Sequence, residues 1–249
     1  MIKKIILVSL LSVVSLFAGT INIAVAANVS YAIDSLKEEF KKSNPDTKIR
    51  VTLGSSGKLT AQINHGAPYD LFISANMRYP NTLYAKNMAI TKPLIYARGS
   101  LALVSRKSFD FSNGMKILED KKVKRIAIAN PKTAPYGKAA IQAIKNAKLF
   151  DTLKRKFIYA ESASQTLSYT MTATDIGFVA KSSLFSKQLS HLKKDKNWID
   201  VNSSLYTPIE QGIVMLKHSK NSEEARNFYN FILSEDAKKI FKEYGYIVE

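Results

Sequence analysis

Apolar and polar positions change period repeatedly along the chain, and that alternation predicts its architecture. From Thr20, "TINIAVAA" is a nearly unbroken apolar run of strand length. "VSYAIDSLKEEF" follows, with Val29, Ala32, Ile33, Leu36 and Phe40 at helical spacing. "SNPDT" breaks that helix through Asn44 and Pro45. Next come "KIRVTL" as a strand, "GKLTAQINH" as a helix, "DLFISA" as a strand and a helix through "YPNTLYAKN". The order βαβαβα is the signature of a mostly parallel, doubly wound sheet.

A second series follows the strand pair in "PLIYARGSLALVS". It reads "RIAIAN" strand, "GKAAIQAIKNAKLF" helix, "KFIYA" strand, "SQTLSYTMT" helix and "DIGFVA" strand. After "NWIDV" and a strand near "IEQGIVML", the amphipathic helices "SEEARNFYNFIL" and "SEDAKKIFKEYG" close the chain. In open α/β sheets ligands gather at the carboxyl ends of strands. Here those ends carry "AANVS", "GSSG", "ISAN", "ANPKTAPYG", "YAESAS" and "FVAKS". Such loops, rich in Ser, Ala, Gly, Asn and Thr and poor in acids, predict a dipolar pocket rather than a catalytic pair.

The start of the chain differs from the rest. "MIKK", then "IILVSLLSVVSLF", then Ala18 and Gly19 read as the basic, apolar and small-residue regions of a secretory signal peptide over 1–19. Cleavage near Ala18 or Gly19 and an exported, periplasmic mature protein are expected. Cysteine is absent, which excludes disulfides, thiol catalysis and thiolate metal sites. The three histidines, His65, His191 and His218, lack metal-ligand spacing. Net charge is +17, and about +15 without Lys3 and Lys4. The lysines are spread over every face, and runs such as "KKVKR" read as solvated loop charge, so no nucleic-acid partner is expected.

"GSSGKLT", residues 54–60, looks like a phosphate loop but is too short to wrap several phosphates. Leu59 also stands where a Mg²⁺-binding hydroxyl belongs. What remains is a strand leading through a Gly/Ser turn into a helix, an arrangement that suits a small anion. Asp70, at the start of "DLFISA", lies at the strand end away from the ligand and reads as a turn or capping residue. Without paired carboxylates, a nucleophile elbow or a metal cluster, an enzyme is not expected.

These segments carry a resemblance. "GAPYDLFISAN" matches the G-A-P-x-D-L-F-I-S-A run of the periplasmic molybdate-binding proteins of ABC importers, supported by "LGSSGKLTAQI" and "ANPKTAPYGKAAIQAI". The tail "FILSEDAKKIFKEYGYIV" is common to many solute-binding proteins. The resemblance covers nearly the whole mature chain and implies the two-lobed, type II periplasmic-binding-protein fold. Lobe 1 would take 20–97 plus about 206–249, and lobe 2 about 98–205. It further implies a monomer that closes on molybdate, with tungstate as a second ligand, and serves a permease with its ATPase subunit, without a cofactor. By the same resemblance the oxyanion is held by hydroxyls and amides alone, here from Asn28, Ser56, Ala75, Tyr136 and Ala163.

Two positions depart from that pattern. Asn28 stands where the family typically has a serine, and Ala180 where a tyrosine often supplies a hydroxyl. Tyr136, where a small residue is usual, or Lys181 offers a replacement for the lost hydroxyl. The modified pocket leaves open another tetrahedral oxyanion such as sulfate or phosphate, or an exported enzyme acting on a phosphorylated substrate.

Overall fold

The computed structural model describes residues 19–249; the expected signal peptide lies outside them up to Ala18. From Thr20 onward the runs read above as strands form strands, with Leu71–Ser74, Leu101–Val104, Ile126–Ala129 and Ile176–Ala180 buried throughout. The first sheet contains β1 (Thr20–Ala26), β2 (Lys48–Gly54), β3 (Leu71–Ser74), β4 (Leu94–Gly99) and β10 (Ile209–Met215), in the order β2-β1-β3-β10-β4. β1, β2 and β3 run parallel, and β10 is antiparallel to β3 and β4. The second sheet contains β5 (Leu101–Val104), β6 (Ile126–Ala129), β7 (Phe157–Ala160), β8 (Ile176–Ala180) and β9 (Trp198–Asp200), in the order β7-β6-β8-β5-β9. Here β6, β7 and β8 are parallel, while β5 is antiparallel to β8 and β9.

The chain therefore crosses between sheets twice, at Ser100 and between Asp200 and Ile209. The apparent strand pair of "PLIYARGSLALVS" is no hairpin: β4 bonds to β10 in one lobe and β5 to β8 in the other. β10 carries an irregularity between Gln211 and Gly212 where it pairs with β4.

Helices cover both sheets. In the first lobe α1 (Ile33–Ser43), α7 (Glu223–Ile232) and α8 (Glu235–Glu243) pack on one face. Their aromatic contact has Phe40 edge-on to Phe228 with centroids 5.0 Å apart, and Phe241 joins the same core. α2 (Ser56–Asn64) and α3 (Arg78–Ala85) cover the other face through Leu59, Ile63 and Leu83. The second lobe is covered by α4 (Pro135–Asn146), the short α5 (Phe150–Leu153) and α6 (Ala163–Thr172). α1 starts at Ile33, four residues later than its apolar spacing predicts. Ala27–Val29 form a 3-10 turn instead, with Val29 and Ala32 still buried.

Asp70 closes the end of the first sheet remote from the cleft. Its Oδ2 accepts the Asn22 N–H at 2.7 Å, and its Oδ1 lies 2.8 Å from His218 Nδ1. Both carboxylate oxygens thus have structural partners.

Candidate anion-binding site

Five strand ends from the two lobes converge on one cavity. Asn28 follows β1, Ser56 follows β2, Ala75 follows β3, Tyr136 lies beyond β6 and Ala163 beyond β7. All five line the cavity, together with Ser55 and Pro135 among others. The resemblance therefore pointed to residues that the fold brings together from sequence positions more than a hundred apart.

Three helix N-termini enclose this space. α2 begins at Ser56, α4 at Pro135 and α6 at Ala163, and none has an acidic residue in its first turn. First-turn amides have no intrahelical acceptor and sit at the positive end of the helix dipole. Pro135 has no N–H to offer, so Tyr136 supplies the first free amide of α4. Several such termini around one cavity make an anion site without a formal positive charge. Among the described residues, those lining the cavity are all uncharged.

The Ser56 hydroxyl has a defined partner in the loop after β3. Its Oγ accepts the Ala75 N–H at 3.0 Å, which leaves the hydroxyl hydrogen to point elsewhere. Ala75 thus orients the Ser56 hydroxyl, and its own amide is engaged in doing so. Lys181 is held away by an ion pair with Asp200, 2.7 Å from Nζ to Oδ1. Burial of Asp200 opposes its ionisation, but the hydrogen bonds from Lys181 and Lys194 outweigh that and hold its carboxyl below the usual range.

The Tyr136 phenol turns toward the crossing strands, where Gln211 Nε2 donates to it at 3.3 Å. Behind the cavity Gln211 Oε1 also accepts from Asn28 Nδ2 at 2.7 Å and from the Tyr96 hydroxyl at 2.8 Å. The Tyr246 and Ser182 hydroxyls both donate to the Asn28 carbonyl, at 2.9 and 3.0 Å. Burial pushes the Tyr96 and Tyr136 phenols well above their ordinary range and Tyr246 up to about 12. All three remain neutral hydrogen-bonding groups at physiological pH.

The lobes meet over the site. The Gly57 N–H donates to the Thr133 carbonyl at 2.9 Å, and the Tyr79 hydroxyl lies 3.3 Å from the Lys132 and Thr133 carbonyls. Glu161 reaches from the β7–α6 loop to accept from the Ser55 hydroxyl at 2.9 Å and its N–H at 3.4 Å. The cavity measures about 10 Å³, close to the smallest that holds a water.

Sequence reasoning did not single out Gln211, Tyr246, Ser182 or the Ser55–Glu161 clasp. A glutamine inside the apolar run "IEQGIVML", next to a glycine, was the one local signal for Gln211. The others depend on contacts from distant parts of the chain.

A cleft between two α/β lobes, walled by helix N-termini without first-turn acids, defines a binding module for a small solute. Residues 21–247 match the family model described as "Bacterial extracellular solute-binding protein", and the chain belongs to that family. It is 31% identical to the molybdate-binding protein of Rhodobacter capsulatus, covering 93% of this chain and 90% of that one. The periplasmic molybdate-binding protein structure from Azotobacter vinelandii superposes with a TM-score of 0.85 at 30% identity, covering 92% of this chain and 99% of that one. A putative ABC transporter substrate-binding lipoprotein of Bacillus subtilis is 29% identical over 92% of this chain and 87% of its own length.

Proposed function

We propose that this protein captures molybdate, with tungstate as a second ligand, and delivers it to an ABC importer permease driven by its ATPase subunit. The observation that carries this reading is the convergence of three helix N-termini, free of first-turn acids, on a cavity lined by uncharged residues. A fully deprotonated tetrahedral oxyanion accepts hydrogen bonds only, and such bonds to a charged acceptor run about twice the strength of neutral ones. The similarity to molybdate-binding proteins at 30–31% identity supports the choice of ion. Asn28, Ser56, Tyr136 and Ala163 would provide the donors, with Ala75 orienting Ser56. Phosphate, protonated near neutrality, gains from a carboxylate acceptor, but Glu161 is not among the residues lining the cavity and its Oε1 accepts from Ser55.

In this reading the protein is a monomeric carrier without a cofactor and without catalytic chemistry. It works in the periplasm after the leader is removed and has no nucleic-acid partner. No helix among the described residues is long and apolar enough to cross a membrane.

Thermal melts and calorimetry on the mature chain test the ligand. Molybdate and tungstate should raise the melting temperature by mass action, while equal concentrations of sulfate and phosphate do little. Equal shifts with molybdate and sulfate would overturn a size-selective pocket.

A further inference from the structure

The network behind the cavity contains one imbalance. Asn28 is buried and lines the cavity, and its Nδ2 donates to Gln211 Oε1 at 2.7 Å and to the Tyr246 hydroxyl at 3.0 Å. Its Oδ1 is buried and has no hydrogen-bond partner. An unpaired buried acceptor is costly anywhere, and this one belongs to a residue that lines the cavity.

An amide turned by half a revolution exchanges nitrogen and oxygen while the other heavy atoms stay in place. Turning Asn28 alone would set its Oδ1 against Gln211 Oε1, two acceptors 2.7 Å apart. Turning both amides restores the bond with its direction reversed. Gln211 Nε2 would then donate to Asn28 Oδ1 and to the Tyr96 hydroxyl, which lies 2.8 Å from that amide position. Gln211 Oε1 would accept from the Tyr136 hydroxyl, 3.3 Å away.

In the first arrangement Tyr96 donates to Gln211 and Tyr136 accepts from it; in the second these roles exchange. Tyr246 changes as well: its hydroxyl accepts from Asn28 Nδ2 in the first and would donate to Asn28 Oδ1 in the second, leaving Ser182 on the Asn28 carbonyl. The second arrangement thus gives up one Tyr246 bond and gains an N–H donor at the unpartnered Asn28 position. Gly99 leaves room for both partners of this pair, because a Cβ there would overlap the Tyr136 hydroxyl oxygen and stand 2.6 Å from Gln211 Nε2.

We propose that Gln211, which is not among the residues lining the cavity, is a positioning residue for anion binding. It turns in concert with Asn28, and an oxyanion in the cleft selects the arrangement in which Asn28 presents its NH₂ group. This inference rests on the oxyanion reading of the cleft.

Calorimetry with molybdate on Gln211→Met, Asn28→Ala and the double variant tests it as a double-mutant cycle. Gln211→Met should weaken molybdate binding about tenfold when Asn28 is intact and less than about twofold in the Asn28→Ala background. Equal losses in both backgrounds would mean that Gln211 only packs the crossing strands, and the proposal would fall. Should Gln211→Met fail to fold, judged by its melt, the ¹⁵N-labelled wild-type protein decides. Molybdate should then shift the side-chain amide signals of Asn28 and Gln211 together, and movement of neither overturns the proposal.

Wild-type titration with molybdate, tungstate and sulfate separates the two levels. If molybdate alone fails to bind, the ligand reading falls and the same cycle and labelled protein decide with the anion that binds. If none of the three binds, both fall.

Discussion

Two sets of helix N-termini in this molecule are finished differently. α7 and α8, on the outer face of the first lobe, begin with Ser222 and Ser234, whose side chains accept the N–H of Ala225 and Ala237. Each also carries two acids in its first turn: Glu223 and Glu224, then Glu235 and Asp236. α2 and α4, facing the cleft, have neither a side-chain cap nor a first-turn acid. α6 is intermediate, with Ser162 capping Gln165 but no acid to neutralise the Ala163 end. The ends of α7 and α8 are thus closed by their own residues, while those of α2 and α4 are not. A cap contributes about 0.5–2 kcal/mol to a helix and an exposed first-turn acid about 0.3–1 kcal/mol, stability that α2 and α4 forgo.

The largest test converts one kind of terminus into the other. Ser56→Asp places a first-turn carboxylate in α2, as in α7 and α8, where an anion would sit. Molybdate affinity should fall by more than about a hundredfold through like-charge repulsion in a buried site, with circular dichroism unchanged. Retained binding in calorimetry would break the comparison.

Ser56→Ala is gentler, removing the hydroxyl and leaving the amide. A hydrogen bond to a charged group contributes about 1.5–3 kcal/mol, so affinity should drop roughly ten- to a hundredfold. Lys58→Ala, on the exposed side of the same helix, serves as the control. If Lys58→Ala cost more than Ser56→Ala in the same titration, formal charge rather than amide and hydroxyl dipoles would govern the site.

Gly57→Ala separates helix stability from closure. Alanine improves α2 by about 1 kcal/mol in propensity. Its Cβ, however, would stand 2.8 Å from the Tyr79 hydroxyl, the end of a side chain that can swing aside, and 2.9 Å from both Cα and the carbonyl oxygen of Thr133 in the opposite lobe, which are backbone. Such crowding costs about 1–3 kcal/mol, so binding should weaken about tenfold while the free protein melts no lower. Small-angle scattering should show a larger radius of gyration with saturating molybdate than the wild type has. An equal radius would rule out steric control at Gly57.

The smallest binding effect belongs to the outer set. Ser222→Ala removes the cap of α7 and should lower stability by about 1 kcal/mol, read by chemical denaturation, with molybdate affinity unchanged. A change in affinity would show that the outer termini are coupled to the cleft.

Much of this organisation was legible locally. Strand and helix periods located β1 to β3 and α7 to α8 because their buried faces repeat within a few residues. The loops at strand ends could be grouped because the βαβ order brings them to one side of each sheet. Longer-range contacts were less accessible. The turn at Asn28 is held by Ser182 and Tyr246, which lie 154 and 218 residues away. Those contacts displace the start of α1 from Val29 to Ile33. Gln211 lies in an ordinary-looking strand, and its partners Asn28, Tyr96 and Tyr136 come from three other elements. For Tyr136 the backbone faces the cavity at the start of α4 while the phenol points to the crossing strands, a division that residue type alone does not disclose.

The contact of the lobes over the cavity has a kinetic consequence. An ion enclosed there leaves only after Gly57 parts from Thr133 and Ser55 from Glu161, so departure follows the rhythm of the protein rather than the pull of its individual donors. When opening is the slow event, chemically different ions held in the closed cleft leave at one shared rate, whatever their affinities. Discrimination among them then falls to the step before closure, when each ion either draws the lobes together or escapes.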